Sequence, residues 1–86
     1  MSGGYLDYNQ YRINDMVETL ELFTKGEYFQ EYTEAVKQEI YTGIELLKKS
    51  AIYAQRIDWL ISGDDGEDSF LKRLKEDLKE LRNDKI

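Results

Sequence analysis

The 86-residue sequence contains no cysteine, no histidine and no proline. Without cysteine, the chain can form neither a disulfide nor a zinc site with thiolate ligands. Without histidine, it lacks the side chain most often used as a general base, which leaves carboxylates, lysine, tyrosine and serine for any chemistry. These absences disfavour most enzyme classes. We therefore expect a non-enzymatic protein with no cofactor and no metal site.

The sequence also has few basic residues for its acidic content. It contains 12 lysines and arginines against 18 acids, a formal net charge of −6 at pH 7. A nucleic-acid polymer is not an expected partner, because binding along its phosphates requires a basic face. No apolar run approaches the about 20 residues of a membrane span, and the first residues do not resemble a secretory signal. We expect a cytoplasmic protein with no membrane partner, and a small anionic ligand remains open.

Apolar residues recur at spacings of three and four, which predicts an all-α fold. In the absence of proline, the glycines mark the boundaries of three predicted helices, at about residues 8–25, 27–61 and 67–84, in a single domain at residues 1–86. Asp7, with Gln10 three residues later, is the predicted N-cap of the first helix. The long second helix and the third are joined by a short turn, and we expect them to form an antiparallel hairpin.

The helix lengths predict self-association. The second helix would be about 52 Å long, and the other two are each half that length, so each can fold back along a different half. One neighbour does not cover an apolar stripe as wide as that of the long helix. We therefore expect a homo-oligomeric helical bundle. Gly43, in the middle of the stripe, would allow close approach of another helix, or else it only lowers helix propensity.

The N-terminal segment combines side chains that suit a nucleotide-type ligand. Aromatic rings can stack on bases, amides can read hydrogen-bonding edges, and a guanidinium can hold a phosphate. The alternative is that the tyrosines pack on the helices and that Arg12 pairs with Asp15 or another acid. The candidate ligand-binding residues of this segment are Tyr5, Tyr8, Asn9, Gln10, Tyr11 and Arg12.

Two further candidates lie on the long predicted helix. Arg56 interrupts an apolar stretch beside the only tryptophan, so it needs a carboxylate of its own chain, a carboxylate of another chain, or an anionic ligand. The ion pair is the favoured alternative. Lys49, in the Lys48-Lys49 pair, can supply charge to a phosphate, although a solvated lysine is the default. The acidic turn at residues 64–68 fits helix capping better than a calcium loop.

Two blocks of the sequence resemble small, mostly uncharacterised phage and prophage proteins. They are SGGYxDYxQYxI at residues 2–13 and YAxRIDWLxSGDDGE at residues 53–67. Several families of compact, oligomeric helical phage proteins sequester cyclic nucleotide signals of bacterial defence. This chain is similar to them in size, helicity, absence of catalytic residues and expected oligomerisation. The resemblance implies an anti-defence sponge that holds a cyclic oligonucleotide at pockets between subunits, in the host cytoplasm.

Two other functions stay open. The helical faces can dock on a host or phage protein, as an interaction module whose acidic surface sets partner choice. The third hypothesis is an all-α nucleotide pyrophosphohydrolase similar to MazG. It would align Glu31/Glu34 and Asp65/Asp68 with the two acidic pairs that hold Mg²⁺ in that family, but the second pair falls on a predicted turn rather than on a facing helix.

Overall fold

The computed structural model describes residues 6–83, which form four helices and no strand. α1 spans Gln10–Thr24, α2 spans Glu27–Gln30, α3 spans Glu34–Ile61 and α4 spans Glu67–Asn83. The predicted all-α class is confirmed for this part of the chain. None of the four helices is long and apolar enough to cross a membrane.

The chain turns before α1 begins, and the predicted capping box is wrong. Asp7 and Tyr8 have φ angles of 53° and 65°, in the left-handed region, and the Asn9 N–H donates to the Leu6 carbonyl at 2.9 Å. Asn9 is the N-cap, and its side chain makes no capping hydrogen bond. Because residue 7 is in a tight turn and Gln10 points towards α3, their side chains cannot cap the helix reciprocally.

The predicted long helix at 27–61 is divided into two helices. Thr33 has extended backbone, and its hydroxyl accepts a hydrogen bond from the Val36 N–H at 3.3 Å, which caps α3. The preceding single turn, α2, carries Phe29, which is 1% exposed. Its ring lies 6.2 Å from the Phe23 ring and 5.3 Å from the Tyr41 ring. The break therefore allows α2 to turn Phe29 into the corner between α1 and α3.

α3 is the central helix, and both α1 and α4 pack against it. Gln10 at the start of α1 reaches Asp58, and further along α1 an ion pair of 2.8 Å joins Glu21 to Lys48. α4 lies beside the same part of α3, where Asp77 pairs with Arg56. The expectation that α1 and α4 cover different halves of the long helix is wrong, because α2 and its turns occupy the space beside the first turns of α3.

The buried core is small for the amount of apolar surface. The buried apolar side chains are Val17, Phe29, Ile44 and Ala51. The chain measures 47 × 25 × 15 Å and exposes 6587 Å². A compact monomer of this mass exposes about 5,300 Å², so this chain exposes about 1,300 Å² more than a compact one. Apolar residues of α3 contribute to this exposed surface, among them Val36, Leu46, Ile57 and Ile61.

Candidate ligand site

A buried carboxylate holds the N-terminal turn on α3. Asp58, 5% exposed, accepts a hydrogen bond from the Leu6 N–H at 3.1 Å and another from Gln10 Nε2 at 3.3 Å. Gln10 Nε2 also donates to Gln55 Oε1 at 2.8 Å. Because buried polar groups require partners, these bonds tie α1 and the turn to α3. The Gln10 side chain, 4% exposed, is therefore used within the fold and is closed to a ligand in this arrangement.

The other candidates of the N-terminal segment lie on the surface. The Tyr8 and Tyr11 rings are stacked, with centroids 6.0 Å apart, and about half of each residue is exposed. Gln55 Nε2 donates to the Tyr11 hydroxyl at 3.5 Å, a long hydrogen bond. Asn9 and Arg12 are exposed beside them. Ligand contact by these four residues stays a prediction, and Tyr5 lies outside the described residues.

Arg56 takes its partner from its own chain. Its Nε donates to Asp77 Oδ2 at 2.7 Å, and its guanidinium carbon lies 5.0 Å from the centre of the Trp59 ring. The Arg56 side chain is 15% exposed. Among the three partners that the sequence left open, the structure therefore shows an internal carboxylate, which compensates the charge and ties α3 to α4.

Lys49 lies in a groove between α3 and α4 with a volume of about 560 Å³. Both helices contribute apolar side chains to it, namely Leu46, Leu78 and Leu81. Four cationic residues and one acid surround this apolar surface. These are Lys49 of α3, Lys75, Lys79 and Arg82 of α4, and the acid Glu45. The groove thus combines an apolar surface with a basic rim.

The basic rim is a local reversal of the net charge of −6. Lys75, Lys79 and Arg82 are spaced by four and three residues, so they share one side of α4. Within residues 6–83, neither these three residues nor Lys49 forms an ion pair. Uncompensated charges of one sign around a concave surface attract a ligand of the opposite sign. The signal in the sequence is the 4–3 spacing of cations on α4, and the predicted site did not include these residues.

The two acidic pairs considered for a hydrolase lie at opposite ends of α3. Glu31 ends α2 and Glu34 is the first residue of α3, whereas Asp65 and Asp68 follow the last turn of α3. The 28 residues of α3 separate them by about 42 Å. Asp65 accepts a hydrogen bond from the Ser69 hydroxyl at the start of α4, a local capping contact. Within one chain the two pairs therefore cannot share a metal ion, and the described residues contain no group of three metal-binding side chains.

The structure thus brings Lys49 together with cations of α4 and places the other predicted site residues elsewhere. Tyr11 of α1 contacts Gln55, and Arg56 follows Gln55 in α3, so both lie near the last turns of α3. Neither residue lines the groove. Comparison of the chain with protein-family models, with curated proteins and with solved structures finds no match.

Proposed function

We propose that this protein is a non-catalytic binding protein that holds a small anionic ligand of nucleotide type in the groove between α3 and α4. The observation that carries the proposal is the basic rim around an apolar surface. Lysine and arginine bind phosphate oxygens, and apolar side chains can receive the flat face of a base. The groove volume of about 560 Å³ is within the roughly 300–1,000 Å³ of small-molecule sites.

The proposed action is sequestration. The groove is lined by lysine, arginine and leucine together with Thr42 and Glu45. These residues do not form the set of a nucleophile, a general base and an orienting group that covalent catalysis uses. A cyclic oligonucleotide of bacterial defence is the proposed ligand. The resemblance of residues 2–13 and 53–67 to small phage proteins supports this choice of ligand, and the anti-defence role in an infected cell is part of the same proposal.

Assembly is the second part of the proposal. α3 and α4 act as an antiparallel hairpin, and hairpins from several copies form a helical bundle with the ligand pocket completed between them. The surface of about 1,300 Å² beyond that of a compact monomer supports association. The groove of one chain also covers a ligand from one side only, whereas well-formed sites enclose most of the ligand surface. A second copy would supply the missing cover.

A ligand panel tests the function. Purified protein is titrated with cyclic dinucleotides, cyclic trinucleotides, ADP-ribose and inorganic phosphate, with the melting temperature as the readout. A ligand at 100 times its Kd adds about 2.7 kcal/mol to the free energy of unfolding, which corresponds to a rise of roughly 10–20 °C for a chain of this size. The bound ligand is then released and identified, and it must be chemically unchanged. A product that appears only with Mg²⁺ would favour the hydrolase.

A protein-binding module is the second candidate, and an exposed aromatic cluster favours it. Tyr28, Tyr32 and Tyr41 are exposed, and Tyr41 lies 5.3 Å from the buried Phe29 ring, which in turn contacts the Phe23 ring beside Tyr32. Tyrosine clusters of this kind are common in protein interfaces. If every nucleotide in the panel leaves the melting temperature unchanged, and a defined protein partner binds the wild type but not Tyr28→Ser, this second function replaces the first.

A further inference from the structure

One face of α3 is only partly covered within the described chain. Val36, Gly43, Ser50 and Ile57 are seven residues apart, so they share one side of the helix. Val36 is 42% exposed and Ile57 is 39% exposed. A Cβ atom added at Gly43 would meet no atom within 4 Å. No helix of the same chain therefore uses the close approach that Gly43 permits.

A second row of residues widens this face. Ile40, Leu47, Ala54 and Ile61 each follow a member of the first row by four residues, and none of the eight positions is charged. The two rows, called the α3 seam from here on, extend for about 38 Å. Leu47 also lines a cavity of about 320 Å³ with Met16 and Leu20 of α1. The apolar surface therefore continues from the seam onto α1.

We propose that a second copy of the chain covers the α3 seam, with the two α3 helices antiparallel about a two-fold axis that passes between Leu47 and Ser50. A two-fold interface brings the same surface of both copies together. In this register each residue of one row faces a residue of the other row in the partner copy. The four pairs are Val36 with Ile61, Ile40 with Ile57, Gly43 with Ala54, and Leu47 with Ser50.

The distribution of small residues favours the antiparallel register. In a parallel pair in register, Gly43, Ser50 and Ala54 would each face its own copy, and three layers would lack a large side chain. In the antiparallel pair Leu47 fills the space beside Ser50, and Gly43 with Ala54 marks the place where the two backbones come closest. Antiparallel helices also place opposite ends of their dipoles together.

The available area matches a second copy. A stable interface buries about 800 Å² from each partner. The surplus of about 1,300 Å² over a compact monomer is larger than this, and the exposed Val36, Ile57 and Ile61 place part of it on the seam. The groove between α3 and α4 is lined by Thr42, Glu45 and Lys49, on another side of α3. Pairing along the seam therefore supplies one interface of the proposed assembly and leaves the groove open, so completion of the ligand pocket between copies needs a second interface. The seam does not rest on the proposed ligand, and binding can be lost while the dimer remains.

The first test measures the mass in solution by light scattering. The wild type is expected at twice the 10.2 kDa of one chain. Gly43→Arg is expected at the mass of one chain with unchanged helix content, because position 43 has open space in the single chain and arginine has a higher helix propensity than glycine. Gln38→Arg, an exposed residue of α3 outside the seam, makes the same change of charge and is expected to stay dimeric. A monomeric wild type or a dimeric Gly43→Arg would overturn the proposal.

The second test determines the register. The chain has no cysteine, so single cysteines can be introduced without competing thiols. When Gly43→Cys and Ala54→Cys are refolded together and oxidised, we expect a disulfide-linked heterodimer, and each variant alone should remain unlinked. Rapid linkage of Gly43→Cys to itself would show a parallel pair. Absence of linkage in the mixture would likewise reject the antiparallel register.

Discussion

Arg56 donates through Nε to Asp77 Oδ2 at 2.7 Å, and this ion pair joins α3 to α4 beside the Trp59 ring. The pair fixes α4 at the level of the last turns of α3. It thereby places the cations further along α4 opposite Lys49. The groove proposed as the ligand site therefore depends on a contact that lies outside it.

Asp77→Asn is expected to destabilise the fold. The Arg56 side chain is 15% exposed, so removal of the facing charge leaves a largely buried guanidinium with a weaker partner. The expected loss is about 1–2 kcal/mol in the free energy of unfolding, because Asp77 itself is partly solvated. Chemical denaturation measures it. Glu76→Gln, at an exposed neighbouring position of α4, is the matched control and should change the stability by less than about 0.5 kcal/mol.

Asp58→Ala is expected to release the N-terminal turn and to destabilise the chain. The Leu6 N–H and Gln10 Nε2 both donate to the Asp58 carboxylate, and they would lose this acceptor in a buried place. We expect a loss of roughly 1–3 kcal/mol, because the Leu6 N–H is left without an acceptor, whereas Gln10 Nε2 keeps its hydrogen bond to Gln55 Oε1.

Hydrogen exchange at the Leu6 amide separates this role from a general loss of packing. Exchange of this amide should accelerate more than exchange within α4, because the hydrogen bonds of the N-terminal turn in residues 6–83 go to α3 and none goes to α4. Asp64→Ala, at an exposed position, serves as the control. Equal acceleration in α4 and in the turn would contradict the assigned role of Asp58.

Lys79→Gln is expected to change ligand affinity and stability in opposite directions. Lys75 and Lys79 are like charges four residues apart on α4, so neutralising one should raise the free energy of unfolding by about 0.2–0.5 kcal/mol. The same change removes a cation from the groove and should weaken binding of a phosphate-containing ligand roughly 10–150-fold, because a hydrogen bond to a charged group contributes about 1.5–3 kcal/mol.

The control for this prediction is Lys72→Gln, which removes a charge from an exposed position of α4 that does not line the groove. Its affinity for the ligand should stay within about twofold of the wild type, since it makes the same change of charge as Lys79→Gln at a position outside the groove. If the two variants weaken binding equally, the ligand responds to the overall charge of the protein, and the groove is not its site.

The sequence predicted the helices best where local signals agree. α4 begins at residue 67 as predicted, because a glycine-containing turn precedes it and a leucine stripe with acids at its first turn follows. The break between α2 and α3 was missed, because it contains neither glycine nor proline. Its signal is Thr33, whose side chain caps α3, and a threonine within an apolar periodicity is also common inside helices.

The candidate site was predicted only in part. The basic pair predicted Lys49 as a site residue, but its proximity to the cations of α4 was missed, because those cations are some 26–33 positions away in the chain. The sequence predicted that Arg56 needs a partner. That this partner is Asp77 depends on how α3 and α4 meet. Gln10 was expected to face a ligand, yet it bonds to Asp58 and Gln55, 48 and 45 residues further on.

The sequence by itself determined the helical class, the turn before α4, and an excess of apolar residues over what a single chain of this length can bury. These features follow from local periodicity and composition. Only the tertiary structure decided which polar side chains became internal ties and which cations share a groove. Those outcomes depend on contacts between residues far apart in the chain, and helical periodicity alone does not specify which faces of two helices meet.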